Sequence, residues 1–580
     1  MSFVPNLPRA ELTAKRGVPE DFVAWPFVDE LYDYTQLLGP GKTLGSLPQA
    51  RWGDEVAIVG AGAAGMVAAY ELLKLGLKPI VFEATGRIGG RAWTEYFSDS
   101  GGSNGVFAEM GAMRVPTQNK VFYYYADLLG LEYSEFPDPG KVPTILYYEN
   151  QVYDWQPNQL PPGPFASIAD DFNAFVGPLM NKIYGPWQQG NLSAVRQIWQ
   201  AYVDRYKNMS FFEGLADGIP KWTTEDFNAF GALGMGSGGF GPLYGVGFLE
   251  LLRILVNQFE TDQQLVQYGI AGLTEGLYAS TVEWPNGQEV SLQSLDCVQL
   301  DTAVTAIQYD ETSGNPVVSW TNMADTANPQ SGSQKYPAVI IATTTRSMEM
   351  IGLTSALPQD NVNTIISSEE KVAVRNLHLM ESSKLFIRTA TKFWLDGDGQ
   401  TQSDLPQNIQ TDELPRGVYC LDYPQTDQGV VLISYTWGDD SAKLLALPPA
   451  ERFRKLKDVI AVIHPKFASY LEPVGGDDQI YNVDWEAMPY YYGAFKLQGP
   501  GEDAYVQSVF NQFQVAMDKT NDRGVYLAGD SVSWAGGWTE GALHTGLNAA
   551  SAAALRLGAK LPSNSPMTID PNLYDYWDAG

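Results

Sequence analysis

Residues 56–91 constrain this chain more than any other stretch. Val56-Ala-Ile-Val59 is an apolar strand that runs into Gly60-Ala-Gly62-Ala63-Ala64-Gly65. A helix-like run follows, and a second apolar run, Ile80-Val-Phe82, ends at Glu83. Gly60 permits a tight turn, Gly62 lets backbone come close to a pyrophosphate, and Gly65 lets the helix pack against the strand. The helix opens at Ala63 and Ala64 with unpaired N–H groups and a partial positive charge, which suit phosphate. Glu83 sits about twenty residues further on, where a carboxylate accepts from ribose hydroxyls. A bare glycine pattern means little in a chain with 57 glycines. Strand, helix, second strand and terminal acid in register describe a dinucleotide-binding βαβ unit. Gly89-Gly90-Arg91 narrows the dinucleotide to FAD. Two adjacent glycines fold the chain back over the same pyrophosphate and Arg91 adds a charge-assisted contact. A nicotinamide dinucleotide needs no such second clamp.

Composition sets the outer bounds. A length of 580 residues suggests about three to five domains. Apolar residues make up 44% and aromatics 12%, enough for a large core. The formal charge of −30 argues against nucleic acid and anionic membrane surfaces as partners. Cys297 and Cys420 are the only cysteines, which excludes a disulfide framework and any cysteine-based zinc cluster and fits a reducing compartment. No secretory signal and no apolar run approaching the ~20 residues of a membrane span is visible. The expectation is a cytoplasmic protein without a metal. The sequons at Asn191 and Asn208 read as incidental. Gly39-Pro-Gly41-Lys-Thr43 is not a phosphate loop, because Gln36 stands where the first glycine is required.

Patterning along the chain predicts an irregular N-terminal arm over 1–50, with the first nucleotide unit over 51–115. Residues 160–275 carry helical periodicity, as in Leu249, Leu252, Arg253 and Val256, around a glycine-rich turn at 234–241. Residues 298–309 alternate as one strand, and Pro337–Ala342 reads as a buried parallel strand. Leu385–Ile387 and Val430–Ile433 are strand-like. Residues 524–530 return to βα character, with a helix from about Ala542 to Leu557. The fold class is α/β: a Rossmann-like FAD-binding domain assembled from discontinuous segments (51–115, 276–350 and 515–560). A mixed-sheet substrate domain (116–160 and 351–514), a helical insertion (161–275) and a C-terminal tail (561–580) complete it.

Several residues carry chemistry. In Glu109-Met-Gly111-Ala112-Met113-Arg114-Val-Pro116, a glycine permits close approach to something flat while an arginine projects beside it. An arginine fork reads a carboxylate bidentately, though the residues alone leave a structural ion pair open. Asp530, after Gly529, accepts from ribityl hydroxyls or caps a helix. Lys384 enters an apolar strand, where a lysine is usually a snorkelling edge residue. Tyr435 and Trp437 share one strand face. His378, His464 and His544 form no triad.

The pattern from Glu83 to Arg91, with Trp538-Thr-Glu540-Gly-Ala542, resembles the flavin-dependent amine oxidase family. The resemblance runs from about residue 50 to residue 555 and is nearest the amino-acid-oxidising branch. It implies noncovalent FAD, since no cysteine lies near 485–500. It also implies cofactor contacts from Ala84, Gly111, Ala112, Met113, Val304, Trp485, Trp538 and Glu540 besides the glycines, Glu83, Arg91 and Asp530. In that branch the arginine matching Arg114 and the tyrosine matching Tyr435 hold the substrate carboxylate. The lysine matching Lys384 is linked by a water to flavin N5. Leu243 and Phe259 stand where a lysine-specific relative has an aspartate and a cysteine. An apolar pair cannot offset desolvation of a side-chain ammonium. With Trp437 and Trp538 they imply neutral or aromatic substrates. The function expected is an L-amino-acid oxidase, with hydride transfer from Cα to the flavin, a 2-oxo acid, ammonia and H2O2 as products and O2 as co-substrate. The alternatives are a tryptophan-type 2-monooxygenase giving the amide, CO2 and water, and an amine or polyamine oxidase. A homo-oligomer, dimer or higher, is expected.

Overall fold

The computed structural model describes residues 26–98, 105–233, 239–260, 262–354 and 365–577. Most of the glycine-rich turn expected at 234–241 therefore lies outside the described residues.

A parallel sheet carries the nucleotide unit. Its strand order is Val298–Gln299, Lys78–Phe82, Glu55–Val59, Val339–Ile341 and Val525–Leu527. Each neighbour pair is parallel, so the chain must leave and return between strands, which brings residues more than 200 apart into one layer. Val339–Ile341 is buried on both faces, as an unbroken apolar run in a parallel sheet should be. Helices Ala63–Lys74 and Thr539–Arg556 pack against each other beside this sheet. A Cβ on Gly546 would lie 2.5 Å from Ala64 O, so glycine sets their separation.

The single strand expected over 298–309 is two. Val298–Gln299 closes the edge of the parallel sheet; Thr302–Asp310 opens a separate three-stranded antiparallel sheet with Asn315–Asn322 and Gln330–Lys335. The break falls at Asp301, which takes a left-handed φ of 52°. Aspartate tolerates that region, and alternation alone does not register it. The last helix begins at Thr539, three residues before the expected start.

A seven-stranded sheet forms the second layer, in the order Tyr481–Asp484, Ser382–Thr389, Gly429–Trp437, Gly417–Leu421, Asn408–Thr411, Thr144–Tyr148 and Gln151–Trp155. It is mixed, because the join between Asn408–Thr411 and Thr144–Tyr148 is parallel and the others are antiparallel. Ser382–Thr389 is an interior strand, buried along its whole length, so Lys384 is not an edge lysine. Helices Phe165–Gln188, Leu192–Tyr206, Phe211–Gly218, Thr224–Ala232 and Phe248–Val256 form the helical region. Two of them start on capping boxes, Ser210 with Glu213 and Thr223 with Asp226.

The described part of the N-terminal segment is buried. Phe27, Val28, Asp29 and Glu30 are each no more than 4% exposed. Asp29 pairs with the fully buried Arg253 at 2.6 Å, and Tyr574 Oη donates to Val28 O at 2.7 Å. The segments around Val28 and Tyr574 thus meet inside the molecule. No helix among the described residues is long and apolar enough to cross a membrane.

Candidate active site

The glycine turn has the geometry a pyrophosphate needs. Gly60 takes φ +100°, and a Cβ on Gly65 would sit 2.0 Å from Gly60 O. Gly62 caps the helix with no side-chain bond to its first turn, and it bridges to Gly89. Gly90 has φ +61° and would press a Cβ to 3.0 Å from Gly62 Cα. Backbone alone therefore separates the two loops. Glu83 is held at the cavity wall, its Oε2 accepting from Ala61 N–H at 2.8 Å and its Oε1 from Thr85 N–H at 2.9 Å. Arg91 forks onto Asp530 and also donates to Ala494 O at 2.7 Å.

The loop through Gly111 threads a narrow gap. A Cβ there would lie 1.8 Å from Arg91 O and 3.1 Å from the Trp485 ring, so only glycine fits. Trp485 Nε1 donates to Met110 O at 3.1 Å and fixes that ring beside the loop. Lys384 reaches across from the mixed sheet and donates to Gly111 O at 2.6 Å and Glu109 O at 3.1 Å. Burial pulls its ammonium down to about 7 against the attraction of Glu109. Burial pushes Glu109 up to about 8, opposed by the Ile270 N–H and Thr94 hydroxyl that it accepts from.

Arg114 stands at the far end of the same loop. Its Nη1 donates to Gln263 Oε1 at 2.8 Å and lies 3.5 Å from Glu260 Oε2. The guanidinium faces the Trp538 ring at 5.7 Å and the Phe136 ring at 5.6 Å. The Tyr435 hydroxyl lies within the electrostatic reach of Arg114, and the Trp437 ring meets that of Tyr435 edge-on at 5.5 Å. Burial pulls the Arg114 pKa down, but Glu260, Tyr435, Tyr419 and Asp138 more than offset it and leave the guanidinium firmly charged.

One cavity joins these parts. It is bordered by Gly60, Gly62, Ala63, Ala64, Glu83, Ala84, Gly89, Gly90 and Arg91 at one end. It runs past Gly111, Ala112, Met113, Val304, Trp485, Gly529 and Asp530 to Arg114, Lys384, Leu243, Tyr435, Trp437 and Trp538.

A sequence profile for flavin-containing amine oxidoreductases matches residues 63–554. The tryptophan 2-monooxygenase of Pseudomonas savastanoi is 37% identical over 587 aligned positions, covering 95% of this chain and 99% of that protein. The chain belongs to the flavin-containing amine oxidoreductase family. An L-amino acid oxidase of Cerastes cerastes is 24% identical, covering 90% of this chain and 92% of the other. Among solved structures, a putrescine oxidase variant superimposes with a TM-score of 0.63 at 17% identity, over 88% of this chain and all of that one, which speaks to the fold.

The cofactor of this flavin-containing amine oxidoreductase is FAD. The residues present suit it. An uncapped helix start faces the cavity, glycine faces leave space that a Cβ would fill, and a carboxylate, Glu83, stands at the ribose end.

Three expected site residues do not border the cavity. Glu540 does not border the cavity. Its carboxylate oxygens accept from Val121 and Phe122 N–H at 2.7 and 2.8 Å, where they serve the start of the helix Lys120–Leu128, and one lies 3.3 Å from His544. Phe259 is fully buried behind Trp538, ring to ring at 5.3 Å, and it is Glu260 that borders the cavity. Gly65 also lies outside the lining and acts through helix packing. Asp530 opens a short 3-10 turn, and the long helix starts only at Thr539, so its partner is Arg91 and not a helix end.

Sequence reasoning missed Glu260, Gln263 and the wall from Phe172, Phe211 and Phe240. The first is one residue beyond the position examined. The aromatics read as core, and their exposure to a cavity is a tertiary property that no local pattern records.

Proposed function

We propose that the chain is an FAD-dependent L-amino-acid 2-monooxygenase acting on aromatic, above all indole-bearing, substrates. The observation that carries this is the Arg114–Tyr435 pair standing beside an apolar wall of Leu243, Trp437 and Trp538 in one cavity with the FAD cradle. A guanidinium and a hydroxyl together suit an α-carboxylate, and the rings suit a flat apolar side chain. The end-to-end likeness to a tryptophan 2-monooxygenase, against 24% identity to an L-amino acid oxidase, favours oxygenation over release of the imino acid.

FAD, when bound, supplies the acceptor for the Cα hydride and passes the electrons to O2. The protein's share is placement. Arg114 and Tyr435 fix the carboxylate while the aromatic wall fixes the side chain. Two fixed substituents leave a single enantiomer with its Cα–H directed along the cavity toward the FAD cradle. Lys384, held by two carbonyls, positions a water and a proton there. Overall, RCH(NH2)COOH and O2 give RC(O)NH2, CO2 and H2O.

The oxidase expected from sequence consumes one water more and gives the 2-oxo acid, NH3 and H2O2. A panel of L- and D-amino acids, lysine and simple amines, scored together for peroxide, ammonia and CO2, separates the two. The expected result is CO2 and amide from L-tryptophan or L-phenylalanine. Peroxide and ammonia in equal amounts with no CO2 would move the assignment to an oxidase. Preference for D-amino acids or amines without a carboxylate would defeat both.

A further inference from the structure

We propose that Glu260 is the counter-ion of Arg114 while no amino acid is bound, and that it takes up one proton when a substrate carboxylate replaces it. The proposal rests on the reading of Arg114 as the carboxylate anchor. Four contacts define the arrangement. Glu260 Oε2 lies 3.5 Å from Arg114 Nη1. Gln263 Oε1 accepts from the same Nη1 at 2.8 Å, and Gln263 Nε2 donates to Glu260 Oε2 at 3.3 Å and to Phe259 O at 2.8 Å. Gln263 is 1% exposed, so its amide is a fixed bridge. Glu260 borders the cavity, so a ligand carboxylate arriving at Arg114 meets it directly.

Charge counting then decides the outcome. The other groups facing this pair are Asp138, Tyr435 and Tyr419. Asp138 and Asp262 share the single ammonium of Lys141, at 3.1 and 3.0 Å, so what charge remains on that side is negative and adds to the case against a further carboxylate. Lys384 lies beyond Tyr435, with its Nζ 4.9 Å from that ring, and faces Glu109. One guanidinium balances one carboxylate. With the amine in the free form from which hydride leaves Cα, or absent as in an indole-bearing acid, a second ionised carboxylate brings an uncompensated negative charge into a buried, largely apolar cavity, which is costly unless one of the two is neutral. Burial already pushes Glu260 up to about 7, against the pull of Arg114, so protonation near neutral pH demands little. The step balances simply: one proton joins Glu260 as the carboxylate docks, from the substrate's own ammonium where there is one and from solvent where the ligand has no amine.

The sign follows. Below the pKa of Glu260 the incoming carboxylate has Arg114 to itself. Above it, ionised Glu260 competes, and affinity falls as pH rises. Loss of charge on Lys384 would give the same sign, so a variant must tell them apart.

The test uses the FAD-loaded protein with 3-(indol-3-yl)propanoate, which carries the carboxylate and no amine, and with 3-(indol-3-yl)propanol, which carries neither. Binding is read from the flavin absorbance between about pH 6 and about pH 9. The expected Kd of the acid rises by up to roughly tenfold per pH unit, while that of the alcohol stays flat. In Glu260→Gln the acid should bind at every pH as tightly as it binds the parent at the low end. Titration calorimetry of the parent in two buffers of different ionisation heat should show uptake approaching one proton at the alkaline end, a measurement that needs no variant. A slope kept in Glu260→Gln would overturn the proposal and point to Lys384; so would a flat parent profile or no proton uptake. Equal binding of acid and alcohol, unchanged in Arg114→Ala, would instead remove the anchor reading and the proposal with it.

Discussion

At the scale of single residues, the cavity's charged groups are the ones whose removal should be felt without loss of the fold. Arg114 is held by a buried amide and a carboxylate rather than by the core of a helix or strand. Arg114→Ala should therefore keep its FAD and lose recognition of the α-carboxylate. The expected cost is on the order of 2–5 kcal/mol of transition-state binding, with buried partners left unpaired. Tyr435→Phe removes one hydroxyl contact and should lose less in the same direction. Steady-state kcat/KM on L-amino acids checks both; unchanged values would leave Arg114 a structural ion pair. Lys384 presents a separate case. Its ammonium is buried, held by two carbonyls and pulled down to about 7 by burial. Lys384→Met should leave the strand in place and slow one of the two half-reactions. Stopped-flow traces of flavin reduction and of reoxidation by O2 separate them, and two parental rates would mean that this lysine serves only packing.

At the scale of elements, the N-terminal segment does more than an irregular arm would. Phe27 meets Phe259 edge-on at 5.0 Å, and Phe259 in turn backs Trp538. Glu30 lies 2.9 Å from His544 Nδ1, and the Tyr34 ring stacks on that imidazole at 3.9 Å. The segment thus braces the last helix and the aromatic wall from behind. Burial lowers the His544 pKa, but Glu30 and Glu540 outweigh it and raise it to about 9; burial also pushes Glu30 up. A histidine charged more easily when folded than the usual 6.5 adds stability that is complete below that value and fades as pH rises through about 9. The parent should therefore lose more Tm between about pH 7 and about pH 10 than His544→Gln does. Identical losses would show that the imidazole is neutral throughout. None of this was legible in the chain. Residues 56–91 announced their element because turn, helix and strand follow in sequence. The contacts of Glu30 with His544 and of Arg114 with Glu260 join residues 514 and 146 positions apart. The same limit placed Phe259 in the cavity when it is the next residue that faces it. It also hid the strand break at Asp301, where one residue with a left-handed backbone divides two sheets.

At the scale of the whole molecule, the cavity end that suits FAD is lined from segments 60–64, 83–91, 111–114 and 529–530, which converge only when both sheets are in place. The glycines that open it were readable because each has a local steric reason. The cavity that extends it toward Arg114 was not, because its walls come from helices and strands far apart in the chain. A ligand held by every part of such a site binds the folded state and not the unfolded one, so it adds stability that grows with the logarithm of its concentration over Kd. Removing FAD under mild conditions should therefore lower Tm, and adding it back should restore the parent value. Retention should also be wholly noncovalent. Cys297 and Cys420 are both buried and neither borders the cavity, so no thiol among the described residues stands where it could bond the flavin ring. Heat or acid should then release intact FAD into the supernatant, identifiable by chromatography. Yellow colour that stays with the precipitated polypeptide would refute noncovalent binding. Release of FMN would refute the reading of the Gly60–Gly65 turn as a pyrophosphate site and of Glu83 as a ribose acceptor.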